Sequence, residues 1–250
     1  MDPKHAFLAL DAPHMGLRLA LRNQPDLPVT IGTVIGAALN DQDEFDRLVG
    51  AMHAAPYQAP PQRPVLYLKP ANTHCAHNSA VEIDPDVSEL AVTACLAVVI
   101  GAPVSRATPE QAAAAMLGYT LAADLSVPHA SFYRPAIRQK CRDNFCPLGP
   151  WIVSTGTQGV PDDVDLVLTI NGREAQHSRS GKLVRRAATL LAEISQFMTF
   201  APGDVLLVGA SQGLPRAGHG DRVEISSESV GTLGFSLSAA QGQSQQGAAR

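Results

Sequence analysis

The chain has 250 residues, 45% of them hydrophobic and 17% charged, with a formal net charge of −4 at pH 7. A chain of this length can bury a large core without disulfide staples, and its acidic balance argues against a nucleic-acid partner, which usually meets a basic face. No apolar window approaches the roughly 20 residues that cross a membrane, and the four cysteines form no CxxC pair. We therefore expect a cytoplasmic protein with reduced thiols and no membrane partner.

The first third of the chain predicts short strands and one helix. Residues 1–29 are irregular apart from "GLRLALR", whose alternating leucines indicate a half-buried strand. Further strands are predicted at "TIGTVIGAAL" and "VLYLKP", and a short helix at "DEFDRLVGAMHAAP", which stops before Pro56. We expect residues 1–29 to be an extension to the domain that follows.

The middle of the chain predicts a strand, a helix and a second strand. Leu96 to Ile100 are a continuous apolar run typical of a buried strand. Thr93 and Cys95, just upstream, are two positions apart and so would share a face. In "ATPEQAAAAMLGY", Thr108 and Gln111 predict a capping box, and Gly118 predicts the helix end. The strand "YTLAADLSV" follows and carries one acid, Asp124.

The last third predicts a hairpin, a longer helix and more strands. Asn171-Gly172 is a tight-turn signal between two strands. Over residues 180–200, apolar side chains recur at helical spacing. They are Leu183, Ala187, Leu190, Leu191, Ile194, Phe197 and Met198. "VLLVG" and "DRVEIS" predict strands, and the polar residues 239–250 predict a disordered tail.

A cationic loop between His129 and Trp151 is one candidate for function. Its cations are Arg134, Arg138, Lys140 and Arg142, interleaved with Phe132, Tyr133 and Phe145. Arginines bind carboxylates in a forked geometry, so the loop could form an anion site. A solvated basic face with ordinary salt bridges explains the same residues equally well.

Asp124 is a second candidate, because an acid within an apolar strand is costly unless it is paired or binds a metal. A partly exposed position at the strand end, or a pair with an arginine, would also explain it. "HCAH", from His74 to His77, fits no common zinc spacing. Cys141 and Cys146 have no evident base nearby, which argues against a cysteine nucleophile.

Seven segments together resemble the fumarylacetoacetate hydrolase family over about residues 30–235. They are "LYLKPANT", "LAVVIG", "GYTLAADLSV", "CRDNFCPLGPWIV", "LVLTINGREAQ", "LLAEISQFMTFAPGDVLLVG" and "GDRVEI". The resemblance implies an α+β, β-rich fold, a mixed and strongly curved β-roll with peripheral helices, over residues 30–238. It also implies dimers, or a complex with a sister subunit.

The resemblance further implies a decarboxylase/isomerase, with "APYQAPP", "SFYRPAI" and "KCRDNFCP" carrying this closer match. The implied substrates are 5-oxopent-3-ene-1,2,5-tricarboxylate and 2-hydroxyhepta-2,4-diene-1,7-dioate, in 4-hydroxyphenylacetate and homoprotocatechuate degradation. In the family, Mg²⁺ or Mn²⁺ chelates a 2-oxo acid and makes its carbonyl an electron sink.

Residue by residue, the resemblance places the family's metal-binding Glu-x-Glu pair at Thr93 and Cys95, and its aspartate at Asp124. Two of three metal carboxylates would then be absent, so we expect weak or no metal binding here. Glu44 stands about where the family often has a histidine base, and Lys140 matches a family lysine near the site.

The expected site follows from these matches. Its candidate catalytic residues are Lys140, Asp124 and Glu44, and its candidate substrate-binding residues are Arg134, Arg138, Tyr133 and Lys69.

Three hypotheses for function remain open at the level of sequence. The chain could be a working decarboxylase/isomerase subunit in which cationic side chains replace most of the metal's charge. It could be a non-catalytic partner that supports a metal-bearing sister chain. It could also be a small-molecule binding or regulatory protein.

Overall fold

The computed structural model describes residues 16–129, 134–156, 159–161, 163–210 and 213–240. Fifteen strands and four α-helices lie within these residues. The strands are β1 Arg18–Leu21, β2 Gln24–Thr30, β3 Val34–Ala38, β4 Val65–Lys69, β5 His74–Ala76, β6 Ala80–Ile83, β7 Glu89–Ile100, β8 Met116–Ser126, β9 Cys146–Ser154, β10 Asp165–Ile170, β11 Arg173–Arg179, β12 Val205–Ala210, β13 Arg216–Gly218, β14 Arg222–Ser227 and β15 Gly231–Ala239. The helices are α1 Gln42–Val49, α2 Pro109–Ala114, α3 Ile137–Lys140 and α4 Ala187–Ser195.

Two mixed sheets organise the described residues. The larger has the order β2-β1-β9-β8-β7-β12-β3-β4, with β13 paired to β7 and β5 to β9. The smaller has the order β11-β10-β14-β15-β6. Most pairs are antiparallel, but β1 with β9, β5 with β9, β12 with β3 and β15 with β6 are parallel.

At β7, both faces of the large sheet are buried. Val92, Leu96 and Val98 of β7 belong to the main core, which also contains Val223 and Phe235 of the smaller sheet together with residues of α4. The alternate β7 positions belong to a second cluster with residues from β1, β3, β8, β9 and β12. The large sheet is thus curled, and the fold is the expected β-rich roll with peripheral helices.

The predicted strands are present in the structure, but the sequence missed β2, β5, β6, β9, β13 and β15, which include a strand in the segment 1–29 predicted to be irregular and one that begins in the loop predicted over residues 129–151. β7 begins at Glu89, well before the apolar run, and its partner β8 sets Thr93 opposite Asp124. Residues 231–239 form β15, which the sequence did not predict, because its glycines and serines weaken the strand pattern. The Asn171-Gly172 turn is confirmed, with both residues at positive φ.

The helix over residues 107–119 is predicted correctly at its start and wrongly at its end. Thr108 and Gln111 form the expected capping box, but α2 stops at Ala114. Gly118 is not a helix cap, since it lies inside β8. A Cβ there would stand 2.4 Å from the carbonyl oxygen of Val153, so the glycine permits close approach of β9.

The helix predicted over residues 180–200 is shorter than expected, with α4 spanning Ala187–Ser195. Asn40 explains the late start. Its backbone oxygen accepts from the Val184 N–H, and its Oδ1 accepts from the Arg185 N–H at 2.9 Å. Phe197, expected on the apolar face, is 72% exposed beyond the helix end.

The chain ends add two observations. The β1–β2 hairpin, placed by the sequence in an extension, joins the large sheet through β9. Ala239 pairs with Ile83, while 241–250, most of the predicted tail, lie outside the described residues. No helix in the described part of the chain has the length and apolar character needed to cross a membrane.

Candidate functional site

Asp124 is the centre of the candidate site. It lies near the end of β8, between β7 and β9 in the curled sheet, and is 4% exposed. The register pairs it with Thr93 on β7. A carboxylate so far from water must be compensated by nearby charge.

Lys69, the last residue of β4, supplies one of the two compensating positive charges. Its side chain is fully buried, and its Nζ lies 2.7 Å from Asp124 Oδ1. The same Nζ donates hydrogen bonds of 2.8–2.9 Å to the carbonyls of Leu125, Lys140 and Phe145. Lys69 therefore links β4 to β8, to α3 and to the residue just before β9.

Lys140, at the end of α3, supplies the second positive charge. Its Nζ donates to Asp124 Oδ2 at 2.5 Å and stands 4.5 Å from the centre of the Tyr67 ring. An ammonium group over an aromatic face is attracted by the ring's electrons. The Tyr67 ring crosses Gly36 of β3, where a Cβ would lie 2.1 Å from Tyr67 Cζ.

Charge fixes the protonation of this ion-pair cluster of Lys69, Asp124 and Lys140. Burial by itself raises the pKa of the Asp124 carboxyl, but the two lysine charges hold that pKa well below its ordinary value of 3.8. Burial, followed by the negative charge of Asp124, raises the pKa of the Tyr67 hydroxyl well above its usual value. Near neutral pH, Asp124 is thus ionised and Tyr67 is neutral.

A cavity of about 340 Å³ lies beside the ion-pair cluster. Its polar lining residues include Glu44, Tyr67, Thr93, Asp124, Ser126, His129, Arg134 and Lys140, and its apolar ones include Val65, Leu66, Leu68 and Leu214. Such a mixture, mostly apolar with a few placed polar groups, is typical of a small-ligand site.

The structure brings only some of the expected site residues to this cavity. Asp124, Lys140, Glu44 and Arg134 line it. Glu44 forms a salt bridge with Arg47 of the same helix, with 2.7 Å between Glu44 Oε1 and Arg47 Nη2. These roles remain predictions, although the residues share one cavity.

Other expected residues lie elsewhere. Lys69 contacts Asp124 but lies beneath the cavity, outside its lining. Arg138 is exposed and also outside the lining, while Tyr133 lies outside the described residues. Arg142 pairs with Asp84, as a solvated basic face would predict.

Tyr67 is a cavity residue that the sequence did not single out. It lies in the matched segment "LYLKPANT", two positions before Lys69. Alternation along β4 places it on the same face as Lys69, and that spacing is the signal that could have found it.

The cluster does not fit a hard divalent cation, which needs several oxygen ligands and net negative charge. Both carboxylate oxygens of Asp124 contact ammonium groups. Cys95 is fully buried, and burial raises the pKa of its thiol. Among the described residues, no group of three or more His, Cys, Asp or Glu side chains could hold a metal. That the family's Glu-x-Glu pair is lost at Thr93 and Cys95 stays a prediction.

Comparison with known proteins finds relatives that are named for catabolic reactions. It is 39% identical over 202 residues to a 4-hydroxyphenylacetate degradation bifunctional isomerase/decarboxylase of Salmonella dublin. The match covers 81% of this chain and 46% of that protein, so the chain spans about half the length of this relative.

Solved structures agree with this match. A 5-carboxymethyl-2-hydroxymuconate delta-isomerase from Mycobacterium smegmatis is 32% identical, with a TM-score of 0.73 over 86% of this chain and 81% of that one. A 2-hydroxyhepta-2,4-diene-1,7-dioate isomerase from Mycobacterium marinum is 29% identical, with a TM-score of 0.71 over 85% and 77%.

Divalent metal is known in this fold. A fumarylpyruvate hydrolase from Pseudomonas aeruginosa, solved with Mn²⁺ and pyruvate, has a TM-score of 0.76 at 21% identity over 92% of this chain and 99% of that one. The family described as fumarylacetoacetate (FAA) hydrolase, C-terminal, matches residues 33–237. The chain belongs to the fumarylacetoacetate hydrolase family.

Proposed function

We propose that this chain is a subunit of a decarboxylase/isomerase of 4-hydroxyphenylacetate and homoprotocatechuate degradation. Its substrates would be 5-oxopent-3-ene-1,2,5-tricarboxylate and 2-hydroxyhepta-2,4-diene-1,7-dioate. The observation that carries the proposal is the cavity beside Asp124, where Lys140 and Arg134 offer positive charge to a polycarboxylate. The isomerase and decarboxylase names of the relatives support the reaction class.

The isomerase step requires little of the protein. The 2-hydroxyl of the dienedioate loses a proton, the double bonds shift, and C5 gains a proton, so the product is a 2-oxo-3-ene acid. The Lys140 ammonium would stabilise the negative charge that develops on the 2-oxygen. Decarboxylation of the tricarboxylate would form a similar delocalised anion as CO₂ leaves.

A carboxylate must move the proton, and the cavity offers two. Asp124 is a weak base because the lysine charges outweigh its burial and lower its pKa. Glu44 lines the same cavity and is the better proton carrier in this proposal. Lys69, buried beneath, would act as a positioning residue by holding Asp124. Arg138 and Tyr133 stay candidate substrate-binding residues.

The test is turnover of the dienedioate by the purified chain, followed by its absorbance. Lys140→Met should lower kcat/KM by about 10²–10³-fold, as removal of one oxyanion donor does. Lys182→Met is the matched control, since Lys182 is exposed, pairs with Asp43 and lies outside the cavity lining. Wild-type rates in Lys140→Met would sink the assignment of Lys140.

The second candidate function is a non-catalytic partner of a metal-bearing sister chain. Two observations favour it: lysines contact both oxygens of Asp124, and the bifunctional relative is about twice as long as this chain. In this version the chain pairs with the sister, or with itself, in the cytoplasm and binds metal weakly or not at all. Turnover that appears only when a Glu-x-Glu sister chain is added would favour it, whereas a fully active sister chain alone would count against it.

A further inference from the structure

The two lysines of the ion-pair cluster differ in their free donors. An ammonium group has three N–H donors. Lys69 directs its donors to three backbone carbonyls and is completely buried. Within the described residues, Lys140 Nζ hydrogen-bonds only to Asp124 Oδ2, and its side chain is 15% exposed. Lys140 thus reaches the cavity with donors to offer.

The charge of the cavity favours an anion over a cation. Lys69 and Lys140 carry two positive charges against the one negative charge of Asp124. Arg134 adds positive charge to the lining, and Glu44, the other acid there, is already paired with Arg47. A divalent cation at Asp124 would have to displace an ammonium group, so the electrostatic preference runs against it.

We infer that this cavity binds a small organic dianion directly through the Lys140 ammonium and the Arg134 guanidinium, without a divalent cation. The inference rests on the proposed function for its ligand class and adds how that ligand is held. One carboxylate or 2-oxo acid end lies at Lys140, and the other at Arg134. The carbon chain between them packs on Val65 and Leu66 of β4.

The size of the cavity agrees with such a ligand. Its volume of about 340 Å³ lies at the small end of organic-ligand pockets, which span roughly 300–1,000 Å³. Arg134 is exposed and Lys140 is nearly buried, so the two charges stand at different depths along the cavity. A ligand with a charge at each end can satisfy both.

Calorimetric titration with 2-oxoglutarate tests the inference on the intact chain. We expect the same Kd in excess EDTA and in excess Mg²⁺. Lys140→Met should raise Kd by about 10- to 100-fold, the loss expected for a charge-assisted hydrogen bond. Arg134→Gln, an exposed change that should not disturb folding, should also weaken binding, and Lys182→Met should leave Kd unchanged.

Two results would overturn the inference: binding that requires Mg²⁺, or binding that is unaffected in both Lys140→Met and Arg134→Gln. The dienedioate assay separates it from the proposed function. Metal-independent binding without any turnover, even with a sister chain, would contradict the function alone. Turnover accompanied by Mg²⁺-dependent binding would contradict the inference alone.

Discussion

Asp124 shows how strongly one buried charge constrains its neighbours. The residue is 4% exposed, and its carboxylate contacts two ammonium groups, one from β4 and one from α3. Forming such a cluster gains little, because desolvation offsets the attraction, but removing one member leaves the others buried without a counter-charge. The packing of β4, β8 and α3 against one another therefore depends on the Asp124 side chain.

Asp124→Asn should lower the free energy of unfolding by about 3–5 kcal/mol at neutral pH, because it leaves two lysines next to a neutral amide. Urea denaturation would measure this. The control is Asp163→Asn, which breaks a pair with Arg179 at an exposed site and should cost far less. An equal loss in the two variants would contradict the central role of Asp124.

The same carboxylate predicts a pH dependence. In the unfolded chain it titrates near 3.8, and in the folded protein it titrates well below that. The stabilisation is therefore fully present above the unfolded value and is lost as the pH falls below it. The stability difference between wild type and Asp124→Asn should be constant above about pH 5 and should narrow over the range from about pH 5 to about pH 3. A difference that stays constant over this range would show that Asp124 does not titrate in this way.

For Asp124, the sequence predicts a buried acid that needs compensation but does not predict which groups compensate it. An acid in an apolar strand indicates a buried compensating group, and Asp124 has two. The sequence offered a metal or an arginine, whereas the structure uses Lys69 and Lys140. Lys69 comes from β4 at the far end of the sheet order, and nothing in its local spacing reveals that the curl of the sheet brings it to β8.

Among the elements, β8 shows a local signal overridden by packing. The sequence around Gly118 is typical of a helix end, yet the residue lies within β8 beside β9. Propensity is a weak prior that tertiary context overrides. The capping box of α2, which depends only on neighbours along the chain, is predicted correctly.

Gly118→Ala should lower the free energy of unfolding by about 1–3 kcal/mol, the cost of forcing extra atoms into a packed region. Its Cβ would lie 2.4 Å from Val153 O and 2.6 Å from Ile152 Cγ2. Gly50→Ala is the control, because Gly50 has helical φ and ψ and open space around its Cβ position. It should stabilise by about 0.4–1 kcal/mol. Equal effects of the two changes on urea midpoints would contradict the close approach of β8 and β9.

For the whole molecule, the curled sheet is predicted by the family resemblance and not by the pattern of any one segment. Several strands, such as β7 and β12, are visible in the sequence as apolar runs. The order of the strands is not, since β12 lies between β7 and β3. Periodicity reports which faces are buried and leaves strand neighbours open.

The thermal response to metal is a property of the whole protein. A cation at 100 times its Kd would stabilise the fold by about 2.7 kcal/mol, which for a chain of this size corresponds to about 5–11 °C in Tm. We expect excess Mg²⁺ or Mn²⁺ to change Tm by less than about 1 °C relative to EDTA. A rise of several degrees that disappears in Asp124→Asn would mean that the cluster binds metal.

Because Lys140 is more exposed than Lys69, a reagent that modifies amines should react with one and not with the other. Reductive methylation requires access to Nζ, so it should modify Lys140, whose side chain is 15% exposed, and spare fully buried Lys69. An anion seated on Lys140 would shield it from the reagent. The extent of methylation of the peptide that contains Lys140, measured by mass spectrometry, would then report the fraction of protein molecules whose cavity is occupied. This measurement does not need turnover.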